Sequence, residues 1–458
     1  MSEHAVAQAL AKLRADGAGD TAVAAFRASL ERLAAGETGI LAEEDLEPVI
    51  ALPDAATLPQ PGDAAAQLLD ATVVIKLNGG LGTSIGVTGP KSLLQVKDGL
   101  SFLDVCAQQV LALRELHGAP RLPLVLLNSF ATRDASLAAL ARHGSLSADL
   151  PADLLQGRVP KLLDDGSLTP VSWEADPALE WAPPGHGDLY PSLVSSGLLD
   201  ALLERGYRYA FVSNADNLGA VLDPAILAWI AAEGLPFLME VADRTPADRK
   251  GGHLARRAGG GLVLREVAQT APADLDAFQD IERHRFFNTN SIWLDLDALA
   301  TVLGRDGSLT LPMIVNRKTV DPRDPSSPAV VQLESAMGAA IDAFDGAQAI
   351  RVPRSRFVPV KTTDDLLVLR SDAYRLGEGA RIELATGAGR VPLVRLDPEH
   401  FRLLADFEAR LPFGPPSLEQ CSSLTVTGDV RFGADVVVRG EATVTGPCAV
   451  PDGAVLGA

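Results

Sequence analysis

Four uninterrupted apolar runs of strand length, ATVVIKLN (71–78), LPLVLLN (122–128), YRYAFVSN (207–214) and LPFLMEV (235–241), constrain this chain more than any other feature. A strand with one wet face alternates apolar and polar residues, so a run that is apolar throughout has to be covered on both faces. Helical stretches lie between the runs. SFLDVCAQQVLALRELHG has Ser101 and Asp104 as a capping pair and Gly118 as its stop, and SLVSSGLLDALLERG reads as a second such helix. Strands alternating with helices predict an α/β fold with a mostly parallel sheet.

The two ends of the chain differ from this middle. Val6, Leu10 and Leu13 share one helical face, and Val23, Phe26, Leu30 and Leu33 form a second stripe that stops near Gly36, which predicts two amphipathic helices packed as a cap. Residues 424–457, LTVTGDVRFGADVVVRGEATVTGPCAVPDGAVLG, repeat apolar doublets and Gly, Asp or Pro turns about every six residues. Strands that short have to stack on one another, and a small parallel β-helix satisfies the period.

Charge and cysteine usage narrow the function classes. Asp and Glu number 59 against 40 Lys and Arg, a net charge of -19, so neither nucleic acid nor an anionic membrane is an expected partner and any phosphate site has to be local. The three cysteines, Cys106, Cys421 and Cys448, suit neither a disulfide framework nor a zinc site and fit a reducing cytoplasm. The opening MSEHAVAQALAKLRADG has no apolar signal core, and no stretch approaches ~18 uninterrupted apolar residues. A cytoplasmic location is expected.

The run KLNGGLGTSIGVTGPKS (76–92) follows the first strand directly. A Walker loop is excluded because Pro90 separates Gly89 from Lys91. A dinucleotide fingerprint counted from Gly80 and Gly82 meets Ile85 where its third glycine belongs, with Gly86 one place late. What remains is a strand feeding a glycine loop at its carboxyl end, the place where open α/β sheets bind ligands. Gly79, Gly80, Gly82 and Gly86 let the backbone approach a base and phosphates, and Lys91 adds a mobile positive charge. SNADN (213–217) ends another strand. A carboxylate there suits Mg²⁺ held by one protein ligand with phosphate and water completing the shell, which makes Asp216 the candidate metal ligand.

KLNGGLGTSIGVTGPKS, WAPPGHGDLYPSL, FVSNADNLGA, ADRKGGHL, FFNTNSIW and VPRSRFVPVKTTDDLL, taken together and in this order, resemble the signature blocks of the eukaryotic-type UTP-glucose-1-phosphate uridylyltransferases, the UDP-glucose pyrophosphorylases. The similarity runs from about residue 71 to about 455. The UDP-N-acetylhexosamine pyrophosphorylases resemble the chain less, because this loop has Asn78-Gly79-Gly80 and Gly82-Thr83-Ser84.

That resemblance implies a helical segment over 1–70, a GT-A-like nucleotidyltransferase domain with a Rossmann-like mixed, mostly parallel sheet over 71–375, a connecting segment over 376–415 and a short left-handed parallel β-helix over 416–458. It implies transfer of a uridylyl group from UTP to a sugar 1-phosphate with Mg²⁺, by in-line attack on the α-phosphate. On the matching blocks, Leu77, Asn78, Gly79 and Gly80 would lie against the uridine, with Gln156 and Gly185 at the base and Lys91 at the triphosphate. His186 would meet the sugar phosphate, Asn214, Gly252, Glu266, Asn288 and Asn290 would line the hexose, and Lys361 would bring a second cation to both substrates. Lys91 and Lys361 are thus the expected catalytic residues. Lys250 is left open; Arg354 and Arg356 are set aside as ion-pair partners, and Phe286 and Phe287 as core.

Two features depart from the family pattern: Ala131 stands where an asparagine is more usual, and the tail stops at GAVLGA where eukaryotic relatives continue into strands that build an octamer. A monomer or small homo-oligomer is expected instead. Galactose 1-phosphate, glucosamine 1-phosphate and an N-acetylhexosamine phosphate stay open as alternatives to glucose 1-phosphate. So does a non-catalytic protein that binds sugar nucleotides for regulation.

Overall fold

The computed structural model describes residues 2–306, 308–385 and 390–457. Among them, ten strands form the central sheet: β1 (Leu46–Pro48), β2 (Thr72–Asn78), β3 (Leu124–Asn128), β4 (Asp153–Leu155), β5 (Tyr209–Asn214), β6 (Phe237–Asp243), β7 (His253–Arg257), β8 (Gly260–Arg265), β9 (Phe286–Asp295) and β10 (Gln348–Arg351). The spatial order is β1-β7-β9-β5-β2-β3-β4, with β6 paired to β9 and β10, and β8 paired to β7. The sheet is mixed, as expected.

The apolar runs are covered on both faces. Val73 and Ile75 pack with Val125, Leu127, Ala210 and Val212 in one core, whereas Val74 packs with Leu124, Leu126, Tyr209 and Phe211 in another. Alternate residues of one strand therefore serve opposite layers, which is why no polar alternation appears in the sequence.

Topology decides where a site can form. β2 lies parallel to both β3 and β5, with Asn78 level with Asn128 and Leu77 level with Asn214. The carboxyl ends of three strands thus share one edge. β9 runs antiparallel to β5, Val212 opposite Ile292, so the stretch just before Ile292 arrives at the same edge.

The helix over Phe102–His117 has the expected capping box between Ser101 and Asp104, and Gly118 closes it at φ 63°. The helix expected over SLVSSGLLDALLERG is two, Leu189–Ser195 and Leu198–Glu204. Gly197 sits at φ 72° between them, a left-handed conformation that ends the first helix and turns the chain. At the N-terminus, helices Glu3–Ala15 and Asp20–Ala34 bury Leu10, Leu13, Val23, Phe26 and Leu30 against Val159, Met313 and Leu333. They act as the packing cap that their apolar stripes predicted.

The C-terminal strands pair in parallel. Leu424 lies opposite Ala442, Val430 opposite Cys448 and Val437 opposite Val455, in two separate ladders. Their buried residues Leu418, Leu424, Val426, Val430 and Phe432 join a core with Ile85, Phe102 and Leu367, so the tail is packed onto the main body. Cys106 and Cys421 are buried thiols and Cys448 is an exposed one. Among the described residues, no helix is long and apolar enough to cross a membrane.

Candidate active site

The strand ends build the floor. Asn78 is 3% exposed, and its amide donates to Asn128 Oδ1 at 2.7 Å and Ser136 Oγ at 2.8 Å. Its side chain ties β2 to β3, so only its backbone is available to a ligand. Gly79 O accepts from Ser129 Oγ at 3.0 Å, and Gly80 O accepts from Lys91 N at 3.2 Å, which closes the glycine loop upon itself.

One wall is formed by Gln156, which follows β4. Its backbone N–H donates to Asn128 O at 2.7 Å and its Nε2 donates to Gly185 O at 3.0 Å. A Cβ on Gly79 would stand 2.6 Å from Gln156 Oε1, so the glycine is what allows the amide to lie against the loop. Gly185, at φ 81°, is pressed against Ser335, whose carbonyl oxygen would be 2.3 Å from a Cβ. The strand end Leu77–Asn78, the glycines that follow it, Gln156 and Gly185 are therefore brought to one wall.

His186 continues the same loop. Its Nδ1 accepts a hydrogen bond from Met337 N–H at 2.9 Å, and burial lowers its imidazole to about 4. It is neutral near pH 7, with Nε2 carrying the proton as a donor and no cationic charge.

Lys91 and Asp216 are ion-paired to each other, with 17% and 24% of their side chains exposed. Below them Lys76 is buried; it donates to Ser213 Oγ at 2.8 Å and Ala220 O at 2.7 Å, and burial lowers its ammonium pKa. Among the described residues, no three His, Cys, Asp or Glu side chains are grouped to hold a metal. Asp216 on its own fits a cation whose remaining ligands are phosphate and water oxygens.

The other wall is polar. Asn290 Nδ2 donates to Asn214 Oδ1 at 2.8 Å, and its backbone N–H donates to Asn288 Oδ1 at 2.9 Å. Asn290 has φ 57°, and its Oδ1 is buried with no partner. A buried acceptor left without a partner calls for an explanation, and strain or an ordered water or ligand are the physical candidates. Gly252 O accepts from Asn288 N at 2.9 Å, and a Cβ on Gly252 would meet the Glu266 carboxylate at 2.5 Å. Burial raises Glu266 to about 7, opposed by the charge of Lys361. Lys361 is exposed, its backbone N–H donating to Asp365 Oδ2 at 2.8 Å.

A family model described as UTP-glucose-1-phosphate uridylyltransferase matches residues 24–439. The chain belongs to that family. A uridylyltransferase of the same name from Solanum tuberosum is 41% identical over 397 residues, covering 85% of this chain and 81% of that one. A UDP-glucose pyrophosphorylase variant from Leishmania major, solved in complex with UDP-glucose, superimposes with a TM-score of 0.93 at 43% identity, covering 100% of this chain and 98% of that one. A UDP-glucose phosphorylase from Trypanosoma brucei gives 0.90 at 46% identity, covering 99% and 98%.

Within this uridylyltransferase framework, the arginines of PRSRF are structural. Arg356 makes a two-pronged contact with buried Glu240, at 2.8 and 2.6 Å, and Arg354 pairs with Asp248. Phe286 and Phe287 are core residues, 2% and 4% exposed. Lys250 is exposed. Sequence reasoning passed over Lys76, which precedes the glycine loop by three residues, and Asp188, although both stand inside the quoted blocks. Their signal was a charge placed within an otherwise apolar or glycine-rich run.

Proposed function

We propose that the protein transfers a uridylyl group from UTP to glucose 1-phosphate, giving UDP-glucose and pyrophosphate. A phosphate oxygen of glucose 1-phosphate attacks the α-phosphorus in line; the new P–O bond forms as the bond to the β-phosphate breaks, and pyrophosphate leaves. No proton need move at the reacting centre, so the work is positioning and charge neutralisation. The observation that carries this reading is the meeting, on one sheet edge, of three clusters: Gly79–Gln156–Gly185, Lys91–Asp216 and Asn214–Asn290–Gly252–Glu266.

In this assignment Leu77, Asn78, Gly79 and Gly80 offer backbone to the uridine, and Gln156 and Gly185 meet its base. Lys91 turns from Asp216 to the triphosphate and stabilises charge as the P–O bond breaks. His186 donates from Nε2 to the sugar phosphate. Asn214, Gly252, Glu266, Asn288 and Asn290 receive the hexose hydroxyls, the orphaned Asn290 Oδ1 accepting from one of them. Lys361 brings its ammonium to the phosphates of both substrates. Asp216 would hold Mg²⁺, which when bound would supply Lewis-acid polarisation of the phosphate oxygens.

The tail is read as a left-handed parallel β-helix over 416–458. Equal spacing of Leu424/Ala442, Val430/Cys448 and Val437/Val455 is what a coil repeat produces, and the handedness rests on the resemblance. The remaining divisions are 1–70, 71–375 and 376–415, in a cytoplasmic monomer or small homo-oligomer that binds neither nucleic acid nor membrane. The net charge of -19 supports the absence of nucleic-acid and anionic-membrane partners.

The test is pyrophosphate release from UTP with Mg²⁺, comparing glucose 1-phosphate with its galactose, glucosamine and N-acetylglucosamine counterparts. Preferred turnover of glucose 1-phosphate is expected. Preference for another sugar would change the substrate and keep the chemistry, whereas binding of UDP-glucose without turnover of any sugar would make the protein a non-catalytic binder.

A further inference from the structure

Asp188 has no substrate role in the reading above, yet it is a buried acid, 7% exposed as a residue. It accepts from the Gly157 backbone N–H at 2.6 Å and from the Ser192 hydroxyl at 2.9 Å. The fit is close, since a Cβ on Gly157 would stand 3.3 Å from Asp188 Oδ2. Burial pushes this carboxyl up to about 6, so keeping it there costs the fold something that a neutral residue would not.

What the carboxylate holds is informative. Ser192 Oγ also lies 3.1 Å from Leu155 O, so Asp188 and Ser192 grip the residues on both sides of Gln156. Gln156 itself is anchored through its backbone N–H to Asn128 O and through Nε2 to Gly185 O. Gly185 and Asp188 belong to one four-residue loop, whose His186 is tied to Met337 and whose Gly187 is packed on Ser335. The glutamine amide is thus fixed in angle as well as in place.

Angle matters for choosing a base. Uracil presents N3–H as a donor beside the O4 acceptor, whereas cytosine presents the N3 acceptor beside an amino donor. An amide free to turn over could serve either base; one held by its Nε2 serves only one. We propose that Asp188, acting with Ser192, is a positioning residue for base selection: it fixes the two residues flanking Gln156 and so sets the angle at which that amide meets the uracil edge. This rests on the reading of Gln156 as the residue that faces uracil.

The experiment measures kinetics with UTP and with CTP, and calorimetric binding of UDP and CDP, for the full-length wild type, Asp188→Ala, Asp188→Asn and Ser192→Ala. The wild type should favour uridine. Asp188→Ala should raise the KM for UTP about tenfold and shrink the UTP-over-CTP preference by at least about tenfold, the scale of losing an oriented buried hydrogen bond, while the KM for glucose 1-phosphate stays unchanged. Asp188→Asn should restore most of the preference, because its amide oxygen, placed where Oδ2 of the aspartate lies, can accept from both Gly157 N–H and the Ser192 hydroxyl. If Asp188→Ala does not fold, Ser192→Ala decides, with a smaller loss of preference expected. Unchanged preference in the folded variants, or a fall in kcat with both nucleotides alike, would overturn the proposal. Wild-type protein that turns over no substrate would defeat the enzyme reading separately, and UDP-against-CDP binding by the same variants would still decide the role of Asp188.

Discussion

Lys91 and Asp216, 125 residues apart in the chain, are ion-paired at the mouth of the sheet. The residue assigned to the triphosphate and the residue assigned to the metal thus neutralise each other in the ligand-free protein. On those assignments, binding of Mg²⁺ and UTP would break this pair and give each charge a new partner. Asp216→Ala should abolish turnover and leave a folded protein with an unchanged circular dichroism spectrum. Lys91→Ala should lower kcat by roughly 10² or more, as loss of a transition-state charge partner does. A change confined to the KM for UTP would make Lys91 a ground-state contact instead.

Gly252 and Glu266, both assigned above to the hexose, are linked by a steric relation. A methyl on Gly252 would be 2.5 Å from the Glu266 carboxylate and has to displace it. Gly252→Ala should therefore raise the KM for glucose 1-phosphate at least about tenfold, the cost of an unmade buried hydrogen bond, and leave the KM for UTP near its wild-type value. Equal losses for both substrates would show that the two walls are not separate.

Burial holds Glu266 near 7, against an ordinary value of 4.5. Between those values the folded protein keeps a proton that the unfolded chain has released, so raising pH through this window lowers stability. The penalty is absent below about 4.5 and complete above about 7. Glu266→Gln removes it. The melting temperature of the variant minus that of the wild type should climb from pH 4.5 to 7 and then level off; a flat difference would mean that Lys361 and solvent screen the carboxylate fully.

Arg356 and Glu240 test the separation of structural from substrate-binding arginines. Glu240 is 0% exposed, held by both prongs of Arg356 and by Trp293 Nε1 at 2.9 Å. Arg356→Met leaves a buried charge unpaired and should cost about 3–5 kcal/mol in denaturant unfolding. Arg354→Met, at a side chain 39% exposed, should cost far less. Near-wild-type stability of Arg356→Met with a raised KM for UTP would reassign that arginine to phosphate binding.

These contacts also show what the sequence could convey. The covered strands were legible because burial on both faces writes itself as unbroken apolar runs, and the Ser101–Asp104 cap because its partners are three residues apart. The break at Gly197 was not, since apolar spacing continues through it and one positive φ leaves no trace in periodicity. Asn78 reads as a ligand contact from its place in the glycine block, but its side chain is spent on Asn128, a partner revealed only by strand register. The pairing of Lys91 with Asp216 and the grip of Asp188 on Gly157 are likewise long-range facts, set by which strands lie side by side.

Gly80 offers the cleanest reading of the glycine loop. A Cβ at this position would meet nothing within 4 Å, whereas one at Gly79 would meet Gln156 Oε1 at 2.6 Å. Neither residue has a positive φ, so alanine strains the backbone at neither. Gly79→Ala alters the free protein as well as the complex and confounds the two. Gly80→Ala should leave thermal stability unchanged, because no protein atom requires the space. If uridine lies against that backbone, the new methyl occupies the nucleotide's position. The KM for UTP and the calorimetric Kd for UDP-glucose should then both rise about tenfold or more, the scale of overpacking a tight contact. Wild-type affinity in Gly80→Ala would move the uridine off the loop and leave the loop with the phosphates alone.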